Sequence, residues 1–419
     1  MIVGIDDTDS KEGMCTTYLA AVLLGRLSGY AKVRGQPMLV RLNPNIEFKT
    51  RGNAAIALPL EADDEAAVKD TVIKTVEEMA VFSDDNTNPG IVFLDDSCTG
   101  RERAGLLGFA MRAVQDVLEI SDAEQLIGQY GIDARGYKNS RGLIGALAAA
   151  SFRKYGLSDS TYELIAYRMQ DACGTPRDID LQSVREADAL TYPDTWDTLD
   201  IRNSRVVFAP HTPDPVLFGI RGKSPDAVRR MFSMIRSEPV ERSVLYETNQ
   251  GTDMHLLRAG IGDVRENRSY LLCGTVYDRP VTSTGGHVFF SIVENGRILK
   301  CASFEPTKQL RDVVRELKPG DRISVYGSLK NSILNLEKIE LKGLVEFDVQ
   351  NPLCCGRRMK SKGAGQGFRC EKCGAKKREK ERVPLMRKLE SGLYEAPPCA
   401  RRHLAKPLVR MAGRVHPSR

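Results

Sequence analysis

No stretch of this 419-residue chain approaches the roughly 18 consecutive apolar residues that a membrane-spanning helix needs. A helical transmembrane anchor is therefore not expected. The opening MIVGIDD lacks the basic flank and apolar centre of a signal peptide, so the cytoplasm is the expected location. The pattern GxxxxGK[ST] is missing, which excludes a standard P-loop for any bound nucleotide. No periodic repeat or low-complexity segment interrupts the chain, and its 28% charged and 42% hydrophobic residues are those of a globular protein. At this length two to four domains are expected.

What is present is unevenly placed. Residues 346–419 hold 19 Lys and Arg against 7 Asp and Glu, a net +12, so a formal charge of +6 for the whole chain leaves −6 on the rest. A basic end of this kind points to phosphate, hence to nucleic acid; a merely solvated basic tail is the alternative. Five of the ten cysteines (Cys354, Cys355, Cys370, Cys373 and Cys399) also fall in this end. Close spacing without a secretory signal points to metal rather than disulfides.

Periodicity divides the chain into four. Over 1–158, strands at 2–5, 38–42, 54–58 and 91–94 alternate with helices at 16–27, 66–79, 103–118 and 143–150, which predicts an α/β domain. Over 159–262 the order becomes β-α-β-β-α-β, the ferredoxin-like α+β order, with its two central strands at 205–209 and 216–220. Five strand-like runs over 263–345, with a helix at 307–317 between the third and fourth, predict an OB-fold barrel. Residues 346–419 then read as a zinc ribbon followed by a basic segment.

The ribbon rests on NPLCCGRRMKSKGAGQGFRCEKCG, in which Cys370 and Cys373 form a regular C-x-x-C knuckle. The other half departs from the rule because Cys354 and Cys355 are adjacent, and Cys399 or His403 is an alternative fourth ligand. Arg357, Arg358, Lys360 and Phe368 between the knuckles, with Arg401 and Arg402 further on, suit RNA phosphates and a stacked base.

At the other end, GIDDTDS crowds Asp6, Asp7 and Asp9 onto the end of a strand. Carboxylates this close raise one another's pKa unless a cation joins them. Magnesium shared with substrate phosphates would satisfy them, and Thr16 or Thr17 would cap the following helix. Arg101 after the strand IVFLDD, and Arg135, Lys138, Asn139 and Arg141 in RGYKNSRG, precede helices and form candidate clamps for ATP phosphates. Metal, clamps and a threonine hydroxyl are the parts of phosphoryl transfer.

Taken together, GIDDTDSKEGMCTTYLA, RGYKNSRGLIGALAA, YETNQGTDMH, the barrel and the cysteine cluster resemble, in this order, the archaeal tRNA(Ile2) 2-agmatinylcytidine synthetase (TiaS) family. The resemblance implies a kinase-like first domain and an ATP-dependent ligase that joins agmatine to C2 of the wobble cytidine of tRNA(Ile2). In that reaction the C2 oxygen is phosphorylated, AMP and pyrophosphate are released, and the product decodes AUA. It implies Thr16 as an autophosphorylated residue, and ATP, Mg2+ and Zn2+ as cofactors. For agmatine it suggests His211, Asp214, Asn249, Gln250 and Asp253. No membrane and no obligatory protein partner are expected. Two other readings are an RNA-binding protein in which the acidic turn is structural, and an amine ligase acting on a small molecule.

Overall fold

A computed structural model describes residues 1–47, 49, 52–95 and 100–419. Asp96 and the side chain of Arg101 lie outside the described residues. Among the described residues no helix is long and apolar enough to cross a membrane.

One sheet runs through the first two units, in the order 133–136, 90–94, 2–6, 54–61, 38–41, 240–248, 161–168, 216–222 and 195–196. The first five strands pair only antiparallel. The helices Thr16–Leu27 and Glu65–Met79 nevertheless each return the chain to a strand parallel to the one before and not adjacent to it. The helix Thr16–Leu27 leads from Ile2–Asp6 toward Met38–Arg41, and Ala54–Glu61 fills the slot between them, as in a split βαβ unit.

Alternation along the strands makes two cores. Val3, Ile5, Leu39, Ile56 and Leu58 face the helices Thr16–Leu27 and Glu65–Met79. Ile2, Val40, Ala55, Ala57 and Val92 face the helices Gly100–Gln115 and Gly142–Tyr155. The last of these helices lies unusually close to the sheet. A Cβ on Gly4 would sit 2.1 Å from the Ala146 carbonyl oxygen, and one on Gly145 would sit 1.9 Å from Asp6 Oδ2. The small residues of LIGALAAA permit that approach, which presses the start of the helix against the acidic turn.

In the second unit the helices Leu181–Thr191 and Pro225–Phe232 cover one face of the strands. The expected strand at 205–209 is not in the main sheet. Thr195–Trp196 takes that edge, while Arg205–Val206 pairs with Leu199–Asp200 in a separate ribbon. Burial decides the exchange: Trp196 is buried at the edge, and Phe208 leaves the sheet but still stacks on Phe218 at 5.0 Å.

Five strands, 269–276, 288–294, 297–303, 333–343 and 322–330, close on one another as a small barrel, with the helix Gln309–Arg315 between the third and fourth. Beyond the cysteine-rich segment the chain comes back. Gly392–Glu395 adds to the barrel strand Ile333–Gly343, and Val415–His416 adds to Gly392–Glu395. The part of the basic end beyond residue 391 is thus docked on the barrel, while Arg357, Arg358 and Lys360 of the cysteine-rich segment are exposed.

The two halves of the main sheet meet through a short parallel pairing, Met38 with Glu247 and Leu39 with Thr248. Asn249 then extends the ladder with its side chain: Oδ1 accepts from the Arg41 amide at 2.8 Å and Nδ2 donates to the Arg41 carbonyl at 2.9 Å. The residue is fully buried. Replacing Asn249 with Leu strands both backbone groups, and a loss of roughly 1–3 kcal/mol is expected in denaturant unfolding. A residue serving only to contact a ligand would leave the unfolding midpoint unchanged.

Candidate functional site

A cavity of about 970 Å³ opens where the rim of the sheet meets the returning C-terminal segment. Asp6, Asp7, Asp9, Thr16, Thr17 and Arg141 line one part of it. Asp6 ends its strand, and Asp7 turns the chain at φ 59°, a left-handed conformation that short polar side chains tolerate. The Asn88 amide donates to Asp7 Oδ2 at 3.2 Å. Burial, then the neighbouring charges of Asp7 and Asp9, push the Asp6 carboxyl well above its ordinary value. Asp7 is pushed up to about 7 by burial and Asp9, against the opposing pull of the Asn88 amide, Arg141 and Lys138. Two carboxyls held up in this way beside a third are a donor set that suits a divalent cation.

Beside it, the Thr8 hydroxyl donates to Thr16 Oγ1 at 3.1 Å. Thr16 is the first residue of its helix, but neither it nor Thr17 caps it. Cys15 occupies the N-cap and makes no side-chain capping bond. Thr17 Oγ1 instead lies 3.0 Å from Cys15 Sγ, and the Thr17 carbonyl accepts from the Tyr246 hydroxyl at 3.0 Å, which ties the helix to the second unit.

The basic candidates separate. Arg141 reaches the cavity, and Asn139 Oδ1 holds the Arg141 amide at 3.0 Å. Lys138 Nζ is bound by the carbonyls of Asp84 at 2.7 Å and Phe82 at 3.4 Å, and Arg135 pairs with Glu77 at 2.9 Å. Neither lines the cavity.

Of the residues suggested for agmatine, His211 and Asp214 line the cavity. Asp214 also accepts from the Thr212 hydroxyl, the Val216 amide and Arg177, so it shapes its own loop. Asn249 is the sheet joint described above. Gln250 is buried and donates to Glu163, and Asp253 pairs with buried Lys338 at 2.5 Å, joining the second unit to the barrel. None of these three lines the cavity.

Several lining residues went unread in the sequence, Arg41, Lys49, Glu163 and Arg221, and His403, read as an alternative zinc ligand, lines the cavity too. The available signal was a carboxylate inside the apolar strand TYELIAYR and an arginine inside VLFGIRG, since buried charges need partners. Arg402, read as an RNA contact, lines the cavity as well.

In the ribbon the four sulfurs of Cys354, Cys355, Cys370 and Cys373 all lie within 4.8 Å of one another. Cys354 Sγ is 3.5 Å from Cys373 Sγ and 3.9 Å from Cys355 Sγ. A tetrahedron with Zn–S bonds of about 2.3 Å has edges of roughly 3.8 Å, so the set fits zinc. Adjacent cysteines are reconciled by the turn between Leu353–Cys354 and Arg357–Arg358, where Cys355 at φ 49° and Gly356 at φ 77° bend both thiols inward. Cys399 lies at the cavity instead. Two RNA candidates need correction. Phe368 is buried with Met359 and Cys370 as the ribbon's own core, so its ring is not offered for stacking. Arg401 is buried between Asp197 and Glu395 and holds the C-terminal segment in place. Arg357, Arg358 and Lys360 are exposed, the latter two in ion pairs with Glu381 and Glu371.

Family models described as the TiaS TCKD domain, the TiaS FLD domain and the TiaS C-terminal zinc ribbon domain match residues 2–139, 140–255 and 351–389. The chain is 54% identical over 417 residues to the tRNA(Ile2) 2-agmatinylcytidine synthetase TiaS of Methanosarcina mazei, covering 98% of this chain and 97% of that protein. Among solved structures, a TiaS–tRNA(Ile2)–ATP complex aligns with TM-score 0.90 at 47% identity, covering 100% of this chain and 99% of that one. A TiaS–tRNA(Ile2)–AMPCPP–agmatine complex aligns with TM-score 0.88 at 44% identity, covering 100% and 99%.

The raised carboxyl of Asp7 sets the sign of a pH effect. Between the ordinary 3.8 and about 7 the folded chain holds a proton that the unfolded chain has lost. Stability in EDTA is therefore expected to fall as pH rises through that window. Melting curves from pH 4 to 8 should show the decline, Asp7→Asn should flatten it, and magnesium should restore stability near pH 7.5. For the ribbon, metal analysis should find one zinc per chain, and Cys355→Ser should lower that occupancy with no change in the barrel's unfolding.

Proposed function

This chain belongs to the TiaS family of tRNA(Ile2) 2-agmatinylcytidine synthetases, and from that premise we propose that it attaches agmatine to C2 of the wobble cytidine of tRNA(Ile2), using ATP. The observation that carries the reading is the single cavity in which the carboxylates of Asp6, Asp7 and Asp9, the Thr16 hydroxyl and Arg141 come together.

The chemistry asks for such a place. The C2 oxygen of cytidine is a poor leaving group until it carries a phosphoryl group. In the proposed sequence the γ-phosphoryl of ATP passes to the acceptor oxygen as its bond to the β,γ-bridging oxygen breaks, and attack of water at the β-phosphorus, with the α,β-bridging oxygen leaving, gives AMP and a second phosphate. The agmatine amine, having lost its proton, then attacks C2, and the C2–O bond breaks with phosphate leaving on that oxygen. Magnesium held by Asp6, Asp7 and Asp9 would screen the triphosphate charge when bound. Arg141, at the head of the helix Gly142–Tyr155, would bind phosphate oxygens. Thr16, with its oxygen already accepting from Thr8, is the proposed phosphoacceptor. His211 and Asp214 are the agmatine candidates open to the cavity.

We assign the parts as follows. Residues 1–158 form the kinase-like unit, supported by the close seat of the helix Gly142–Tyr155 on Gly4. The strand order 240–248, 161–168, 216–222, 195–196 supports a ferredoxin-like fold over 159–262. Five-strand closure with an interposed helix supports an OB-fold over 263–345. Residues 346–419 form the zinc ribbon, whose exposed Arg357, Arg358 and Lys360 face RNA, and the docked C-terminal segment. The enzyme is proposed to act in the cytoplasm without an obligatory protein partner.

The test is incorporation of radiolabelled agmatine into an unmodified tRNA(Ile2) transcript with magnesium and ATP. Label should enter that transcript, with AMP formed, and should not enter one whose wobble cytidine is uridine. Thr16→Ala should lower incorporation by at least about 100-fold while tRNA binding persists. Absence of label from the wild-type reaction, with the tRNA bound, would refute the synthetase reading.

A further inference from the structure

The cavity has a second charged wall that the proposed reaction sequence does not use. Arg41 ends the strand Met38–Arg41, Arg221 lies in Val216–Gly222, and Arg402 and His403 arrive from the segment beyond the ribbon. Along the sheet rim, Asp6 and Arg41 lie on strands separated only by Ala54–Glu61, so two strand spacings, about 10 Å, divide the acidic group from this one.

The carboxylates on this wall are each shared. Glu163 lies 3.3 Å from Arg221 Nε and 3.7 Å from Arg41 Nη2. Asp197, 3.5 Å from Arg221, is also engaged by Arg401. Glu337, 3.5 Å from Arg402, is also bound to His255 at 3.0 Å. Lys49 adds a further cation, its Nζ bound to the Pro44 carbonyl. His403 Nδ1 lies 2.8 Å from Arg221 Nη2 and 3.1 Å from Gln250 Oε1, which holds the ring against the wall. Crowding by Arg41, together with burial and the charges of Arg221 and Lys49, holds His403 well below its ordinary pKa, and Lys49 is lowered by burial and by Arg402. Four cations are here gathered around carboxylates that already serve other partners.

We infer that Arg41, Lys49, Arg221, Arg402 and His403 form a binding site for a phosphate group of a substrate, with the wall completed by the C-terminal segment. The inference rests on the synthetase reading, in which two substrates carry phosphate: the triphosphate of ATP and the phosphodiesters flanking the wobble nucleotide. Agmatine is cationic and is excluded from this wall. Forked arginine donors beside a lysine ammonium suit phosphate oxygens.

Binding to the full-length chain tests this without turnover. Three probes are titrated separately: a non-hydrolysable ATP analogue with magnesium, an anticodon stem-loop RNA, and labelled agmatine. Arg402→Gln and Lys49→Gln should each weaken one phosphate-bearing probe by about tenfold or more. The salt dependence should become shallower by about one charge per substitution where the RNA is the probe that responds. Arg402→Lys should restore most of the affinity, and agmatine binding should not change. Loss with the nucleotide identifies the triphosphate as the source, and loss with the stem-loop identifies the RNA phosphodiester. Unchanged affinity for both in folded variants, or loss confined to agmatine, overturns the inference. Should Arg402→Gln fail to fold, Lys49→Gln decides alone. Failure of the synthetase reading would register separately, as no agmatine incorporation by the wild-type chain.

Discussion

The arrangement of the cavity depends on the joint at Asn249. Only two residue pairs join the two halves of the main sheet by parallel pairing, and the amide of Asn249 lengthens that ladder by satisfying both backbone groups of Arg41. A buried amide with two such bonds has one rotamer and one register, so it aligns the halves as well as holding them. Because of that alignment, Arg41 meets Glu163 and Arg221 at the same rim where Asp6 emerges. Asn249 therefore brings Glu163 and Arg221 of the second half against Arg41 of the first without itself lining the cavity.

Charge is segregated along that rim, and close packing sustains it. Seating the helix Gly142–Tyr155 against Gly4 brings Gly145 onto the Asp6 carboxyl, which excludes water and raises the cost of ionising the aspartates. The cationic wall experiences the converse, with His403 kept neutral. A polar cleft with both problems is poorly satisfied when empty. That is the usual condition of a site built for charged ligands.

Much of this was legible in the sequence, for identifiable reasons. The aspartates follow a short apolar strand, so their position at a sheet end could be read from pattern alone, and the second cysteine knuckle has the spacing zinc requires. Adjacent Cys354 and Cys355 looked irregular because spacing rules assume ordinary backbone, whereas Cys355 adopts positive φ. The run at 205–209 has strong strand propensity, yet Phe208 is drawn into a stack with Phe218 and the edge goes to Trp196. Arg401 and Phe368 have the residue types of RNA contacts, and only burial reveals that both are structural. Glu163, Arg221 and His403 come from three distant segments, and local pattern carries no information about their meeting.

The docked C-terminal segment sets the order in which the molecule is finished. Arg402 bonds Asn45 across 357 residues of chain, and the Arg401 and Arg410 ion pairs span similar or shorter gaps to Asp197 and Asp159. During synthesis the sheet and barrel emerge long before these arginines do. The cavity is accordingly an open trough in the growing polypeptide and becomes enclosed only when the final stretch folds back. The first two units, although they carry the aspartates and the threonine, are half a chamber until residues 399–404 have been made.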